Sequence, residues 1–314
     1  MIEDPILRGR AAGLLRHRRR ARSTTAVLAA VAAVSALAML AQPRAADAQE
    51  PDLMQTLIAE DVTLNNNLMP FASTWDRGRE GRDLTFGFGV EKQLSERSGI
   101  TIESEWDSRS PRQGGGSAGF GNLDIALKYV LLKLPEQGFA FALTPSISLP
   151  TNSHLGSESM HVAAATDLAW GGRLNQLPNR GWTRYLRPLE IQGDVAYSRT
   201  FDSRGLGSFF FDPVLDYSMP YLNYASGGSV PWWLRYFCPF IELNLRQAVG
   251  SEQYRPSESF LMPGLALLAQ RYQVSVGTQV ALNHEAARDQ QVAIVASLLI
   301  FLDAIDPRFG WTPF

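Results

Sequence analysis

The chain has 314 residues, of which 45% are hydrophobic and 19% are charged. The charged fraction is lower than that of an average soluble domain, and the length suits one large domain or two ordinary ones. A single cysteine, Cys238, excludes an intrachain disulfide. After about residue 42 no apolar run is long enough to cross a membrane as a helix, so the many apolar residues are distributed in another way.

Residues 1–48 have the layout of a secretory signal peptide. A cluster of arginines precedes an apolar run over residues 24–41, and Ala46-Asp47-Ala48 is a small-x-small cleavage site. We therefore predict that this segment is removed, with an uncleaved membrane anchor as the alternative. Removal takes eight arginines and three carboxylates from 29 basic and 31 acidic residues, which leaves 21 and 28 and a formal charge of −7. That sign argues against a nucleic-acid partner.

The segment Gly119–Pro150 shows the pattern that recurs through the rest of the chain. Two runs of alternating apolar and polar or small residues flank a short turn that contains Pro and Gly. Successive side chains of a strand point to opposite faces, so each run has one apolar face and one polar face. Each run is about as long as a tilted strand that crosses a bilayer. The pattern predicts a hairpin whose Ile125 and Leu127 face lipid and whose Asp124 and Lys128 face inward.

Eleven such strands can be identified after residue 82, in chain order. They begin near Leu84, Ile100, Leu123, Phe139, Val162, Leu189, Phe209, Ile241, Leu261, Val274 and Val292. Upstream, residues 57–69 predict either a first strand or a lead-in. Bacterial single-chain barrels have even strand numbers, so twelve strands are favoured. The predicted domains are a signal peptide over 1–48, a lead-in with a candidate first strand over 49–82, and a β-barrel over 83–314.

The connections between these strands alternate in length. Short turns lie near Ser95, Pro135 and Arg271, whereas longer polar loops lie near Pro111, Asn152, Arg204, Tyr254 and Glu285. Short periplasmic turns and long outer loops are typical of outer-membrane barrels. Two connections break the pattern, because those near Asn175 and Gly227 are long where a short turn is expected. Both carry aromatic residues, which suit a membrane interface.

Three observations favour a closed antiparallel transmembrane β-barrel over a soluble periplasmic β-protein. In lipid every backbone polar group needs an internal partner, so strands cross only as a closed barrel. The export signal and the strand lengths agree with this, as do Trp and Tyr residues near strand ends: Trp106, Tyr129, Trp170, Tyr197 and Tyr272. A terminal aromatic, Phe314, suits recognition by the outer-membrane assembly machinery. The predicted location is the outer membrane of a Gram-negative bacterium.

One hairpin of the chain resembles a known family. Residues 119–133 (GFGNLDIALKYVLLK), followed by FALTPSISLPTNS, resemble the outer-membrane transporter family labelled "MetA-pathway of phenol degradation". The matching residues are Gly119, Gly121, Asn122, Asp124, Lys128, Tyr129, Leu149, Pro150 and Thr151. The resemblance implies a barrel that passes small hydrophobic or aromatic molecules. Its expected partners are therefore outer-membrane lipid and a small-molecule solute.

Charged residues fall on the polar parity of strand after strand. We predict that they line the lumen: Glu103, Glu105, Asp124, Lys128, Asp167, Glu190, Asp194, Asp216, Glu242 and Arg246. Hydration and cross-strand pairing is one role for them, and lining a solute pathway is the other. Eight of the ten are acidic, so we predict a preference for cations if these residues line a solute pathway. About twelve strands leave a narrow lumen, largely filled by side chains, which argues against a wide general porin.

Motifs for other chemistry are weak. His154 and His161 lie near several serines, which keeps open an outer-membrane enzyme of phospholipase type, but G-x-S-x-G is absent. The histidines have no i, i+4 pairing, so no metal site is predicted. No phosphate-binding glycine loop is present either. The sequence therefore predicts a transport protein, without a cofactor, rather than an enzyme.

Overall fold

The computed structural model describes residues 53–76, 81–111, 115–134, 138–151, 162–201, 207–249 and 257–313. The predicted signal peptide and its cleavage site lie outside these residues. Among the described residues, no helix is both long and apolar enough to cross a membrane.

Twelve antiparallel strands close into a barrel, in which β1 pairs with β12 and every other strand pairs with its neighbours in sequence. The predicted fold and strand number are confirmed. The strands are β1 (Asn67–Asp76), β2 (Gly81–Gln93), β3 (Ser98–Pro111), β4 (Ser117–Leu134), β5 (Phe139–Leu149), β6 (Ala163–Arg173), β7 (Leu189–Thr200), β8 (Gly207–Tyr217), β9 (Phe237–Val249), β10 (Glu258–Leu268), β11 (Tyr272–Ala281) and β12 (Val292–Phe301). Only the last three residues of the 57–69 segment belong to β1.

Short helices lie in the connections and after the last strand. They are a 3-10 helix (Thr183–Tyr185), α1 (Met219–Ala225), α2 (His284–Asp289), α3 (Leu302–Ile305) and a second 3-10 helix (Pro307–Gly310). The last two follow β12 directly and bring the C-terminal residues back to the barrel. There Lys92 Nζ of β2 donates to the carbonyl oxygens of Phe309 and Trp311, at 2.7 and 2.5 Å. Phe314 itself lies outside the described residues.

The outer surface of the wall is an apolar belt. Phe88 on β2 is 52% exposed and Leu127 on β4 is 51% exposed, whereas the adjacent Lys128 is 3% exposed. This is the facing that the alternation predicts for the hairpin. In water, so much contiguous apolar surface would be a liability, but lipid covers it at no cost. The belt therefore favours the membrane barrel over the soluble β-protein.

The two ends of the barrel differ. The short β2–β3 and β10–β11 turns lie at the end where β1 begins and β12 finishes, which in outer-membrane barrels faces the periplasm. The two long connections, residues 174–188 and 218–236, lie at this same end. They contact each other, because Asn179 Nδ2 donates to the carbonyl of Ala225 at 2.7 Å and the amide of Ser218 donates to that of Pro188 at 2.9 Å.

Candidate functional site in the barrel lumen

All ten charged residues predicted to line the lumen lie on the inward parity of their strands. Paired residues share a face, as Glu103 does with Asp124 and Glu190 with Asp216. Burial shows that this face is the inner one, because Glu190 and Asp216 are 0% and 2% exposed whereas the neighbouring Leu215 is 45% exposed. Inside the barrel these side chains meet an element that the strand pattern does not reveal.

Residues 53–66, hereafter the lumen segment, cross the interior of the barrel before β1 begins. They are not part of any strand, yet they contact inward side chains on opposite sides of the wall. A single short segment reaches strands all round a closed barrel only from within it. Met54 and Val62 are 1% and 2% exposed, so the segment is buried in the lumen.

Carboxylates of the wall hold the backbone of the lumen segment. Glu242 accepts hydrogen bonds from the amides of Leu57 and Ile58, at 2.7 and 3.1 Å. Asp194 accepts one from the amide of Glu60 at 3.0 Å. An irregular segment leaves its amides without ladder partners, and a buried amide without a partner costs about 1–3 kcal/mol. The inward carboxylates thus replace the missing strand neighbour.

Two glutamines bind the start of the lumen segment in the same way. Gln273 on β11 accepts from the amide of Gln55 at 3.0 Å and donates to its carbonyl at 2.6 Å. Gln192 on β7 donates to the carbonyl of Met54 at 2.8 Å. The side-chain amide of Gln273 therefore offers both a donor and an acceptor to one residue, as a neighbouring strand would.

Lys128 joins the lumen segment to the wall electrostatically. Its ammonium lies 3.0 Å from Glu60, 3.2 Å from Asp61 and 3.6 Å from Glu91, and it donates to the carbonyl of Thr63 at 3.0 Å. A buried ammonium needs compensation by opposite charge and hydrogen bonds, and it has both here. Two acidic residues of the lumen segment thus share one cation of the wall.

Apolar contacts complete the fit. Met54 packs with Cys238, Phe240, Met262 and Ala266 in one cluster. Val62 belongs to a second cluster, with Val130, Ala142 and Ala169.

Glycines on the wall provide the space for the lumen segment. A Cβ added at Gly171 would lie 3.0 Å from Val62 Cγ1, and one added at Gly277 would lie 3.1 Å from Leu57 Cδ1. Small inward-facing residues at these positions were the one feature of the sequence that could have indicated a filled lumen. They do not reveal which part of the chain fills it.

The outer part of the lumen has walls of two kinds. Glu103, Asp124 and Asp167 form an acidic side on β3, β4 and β6, and none of them accepts a hydrogen bond from the described part of the chain. Beside them, Phe71 of β1 lies over Gly87 of β2, at a point where an added Cβ would be 1.8 Å from the ring. The lumen beyond the segment is therefore acidic on one side and aromatic nearby.

The remaining predicted residues lie nearer the two ends. At the periplasmic end, Glu190 accepts from Arg173 Nε at 2.6 Å, and Asp216 accepts from Gln192 at 2.9 Å. At the outer end, Arg246 lies 3.7 Å from Glu258 and is 47% exposed. On the acidic side, a Cβ added at Gly121 would lie 2.8 Å from Glu105 Cγ, so this glycine makes room for the Glu105 side chain.

The enzyme alternative rests on residues that are not described. His154 and His161 and the serines between them lie outside the described residues, so that hypothesis stays a prediction. Within the described ranges, no group of three or more His, Cys, Asp or Glu side chains is placed to hold a metal ion.

No protein-family model and no curated protein sequence matches this chain. Its fold is similar to that of the COG4313 outer membrane channel from Pseudomonas putida F1, with a TM-score of 0.55 and 10% identity over 79% of this chain and 99% of that one. The NanC porin and the KdgM porin are similar at TM-scores of 0.43 and 0.42, with 9% and 11% identity, over 75% and 74% of this chain and 98% of each porin. At these identities the likeness shows the fold alone, which is that of an outer-membrane β-barrel.

Proposed function

We propose that the protein is an outer-membrane channel for small solutes with hydrophobic or aromatic surface, and that the lumen segment closes it. The observation that carries the proposal is the attachment of this segment. It is bound to the wall through side chains such as Glu242, Gln273 and Lys128, not through a strand ladder. It can therefore detach while all twelve strands keep their hydrogen bonds.

The chemistry of the outer lumen supports the choice of solute. Phe71 lies next to the acidic side, so a small molecule can place apolar surface against its ring while its polar part stays hydrated near Asp124. The resemblance of residues 119–133 to the phenol-degradation transporter family agrees with hydrophobic or aromatic solutes.

The same acidic side supports a preference for cations. Glu103, Asp124 and Asp167 have no cation bound to them within the described residues, whereas Lys128 is occupied by the lumen segment. Uncompensated carboxylates in a narrow, low-dielectric passage attract cations and repel anions.

A reversible lock on the lumen segment tests the proposal. Val62→Cys and Gly171→Cys are combined with Cys238→Ala, which removes the native thiol. In a disulfide, Cβ of one cysteine lies about 3 Å from Sγ of the other, given an S–S bond of about 2 Å. The 3.0 Å between Val62 Cγ1 and the Cβ position of Gly171 meets that requirement. Single-channel recording of the refolded protein is made before and after reduction.

We expect the oxidised variant to be closed and the reduced variant to open at the frequency of its two single-cysteine controls. Liposome swelling then compares small aromatic solutes with sugars of similar size, and faster entry of the aromatic solutes is expected. Equal conductance with the cross-link formed and reduced would contradict the proposal that the lumen segment closes the channel. If the correctly folded protein showed no conductance in any state, the proposal that it is a channel would be wrong.

A further inference from the structure

The two long periplasmic connections form one packed unit, hereafter the periplasmic platform (residues 174–188 and 218–236). Tyr221 of α1 is 1% exposed at its centre, with the guanidinium of Arg173 4.2 Å from its ring centroid. Arg187 Nη2 donates to the Tyr221 hydroxyl at 2.9 Å. Elsewhere at this end the β2–β3 and β10–β11 turns are short, so the barrel itself does not require these ordered residues.

The charge of the periplasmic platform is opposite to that of the chain. Neither connection contains Asp or Glu, but together they carry Arg180, Arg184, Arg187 and Arg235. None of these guanidinium groups has an ion-pair partner among the described residues. Their positive charge is therefore available to an anion from outside the chain.

Large aromatic side chains on the platform are exposed. Trp182 is 71% exposed, Trp232 is 67% exposed and Trp233 is 55% exposed. An indole ring has an apolar body and a single N–H donor, which suits the headgroup level of a bilayer, where one end is apolar and the other is wet.

A chain of contacts connects the platform to the lipid-facing wall. Tyr217 shares the outward parity of Leu215, which is 45% exposed in the apolar belt, and its hydroxyl donates to the carbonyl of Tyr185 at 2.8 Å. The guanidinium of Arg184 lies 4.6 Å from the centroid of the Tyr185 ring and donates to its hydroxyl. Arg184 is therefore held where the apolar belt ends, which is the level of the lipid headgroups.

We propose that the periplasmic platform binds the headgroups of anionic phospholipids in the adjacent leaflet. The guanidinium group matches phosphate oxygens with two parallel hydrogen bonds, and the absence of carboxylates from both connections leaves that positive charge uncancelled. The exposed tryptophans anchor at the same depth. This role goes beyond solute passage and does not depend on it.

The test uses the full mature protein, refolded in a neutral detergent. It is titrated with dioleoyl phosphatidylglycerol or dioleoyl phosphatidylcholine, and bound lipid is counted by native mass spectrometry. Wild type should retain phosphatidylglycerol in preference to phosphatidylcholine. The variant Arg180→Gln with Arg184→Gln should weaken phosphatidylglycerol binding about fivefold per arginine removed, from the usual contribution of one basic residue near an anionic surface.

The matched control is Arg97→Gln with Arg271→Gln, which removes two exposed arginines from short turns at the same end. It should weaken phosphatidylglycerol binding by much less than the test variant, because neither arginine belongs to the periplasmic platform. Heat-modifiable gel migration confirms that each variant is folded. Equal retention of the two lipids by wild type would overturn the proposal. Equal losses of phosphatidylglycerol binding in the test and control variants would overturn it too, because the effect would then reflect the net charge of the protein and not the periplasmic platform.

Discussion

The inner and outer parts of the lumen use the same residue type differently. In the inner part, the carboxylate of Glu242 receives two backbone amides of the lumen segment. In the outer part, Asp124 faces Glu103 across the β3–β4 register and accepts no hydrogen bond from the described residues. Inward-facing acidic residues thus have two roles in the same barrel. Inner carboxylates fix a segment of the chain, and outer ones remain available to what passes.

The largest effect that this comparison predicts is at Lys128. The variant Lys128→Met leaves Glu60, Asp61 and Glu91 without their shared cation in a buried site. Removal of one partner from a buried ion pair costs about 3–5 kcal/mol, and we expect the free energy of unfolding to fall by that amount. Urea unfolding of the protein in lipid vesicles measures it, and single-channel recording should show more frequent opening.

The control for Lys128 is Arg246→Met in the outer part. Arg246 is half exposed and 3.7 Å from Glu258, so its loss should cost less than about 1 kcal/mol. If the two variants lost equal stability, the lumen segment would not depend on Lys128.

The next effect is at Glu242. In Glu242→Gln one oxygen is replaced by an NH₂ group, which cannot accept from an amide, so either Leu57 or Ile58 loses its partner. Loss of a hydrogen bond to a charged group should lower the free energy of unfolding by about 1.5–3 kcal/mol. Urea unfolding checks this, and ion preference should remain that of wild type. A large change in ion preference with unchanged stability would place Glu242 in the pathway instead.

The smallest effect on stability is expected in the outer part. Asp124→Asn with Glu103→Gln removes two carboxylates that accept no hydrogen bond from the described residues. The free energy of unfolding should therefore change by no more than about 0.5 kcal/mol. Cation preference should fall, because these charges supply much of the uncompensated negative potential. Reversal potentials in a salt gradient measure it, with Glu242→Gln as the matched control. Unchanged reversal potentials would show that this side does not line the pathway.

The strands were predictable because the alternation is local. Two-residue periodicity and turn residues identified eleven strands after residue 82, and the even-number rule supplied the twelfth. The inward facing of residues such as Asp124 and Lys128 follows from the same parity. The two unusual connections were also visible, since they interrupt an otherwise regular sequence of short turns and long loops.

The lumen segment was not predictable from such signals. Its hydrogen bonds join residues far apart in sequence, with Gln55 and Gln273 separated by 218 positions. Any residue except proline offers the same backbone amide to a carboxylate, so the identities of Leu57 and Ile58 do not indicate that their amides bind Glu242. Parity placed Glu242 inside the barrel, but it could not distinguish a water-lined wall from one that binds the chain's own backbone.

The separation between Gln55 and Gln273 also has a kinetic consequence. Gln55 belongs to the first described residues, whereas its partner lies on the next-to-last strand, so this contact forms only when β11 is in place. Contacts that form after the rate-limiting step of folding slow unfolding more than they speed folding. We therefore expect the lumen segment to lengthen the lifetime of the folded barrel while leaving its rate of assembly almost unchanged.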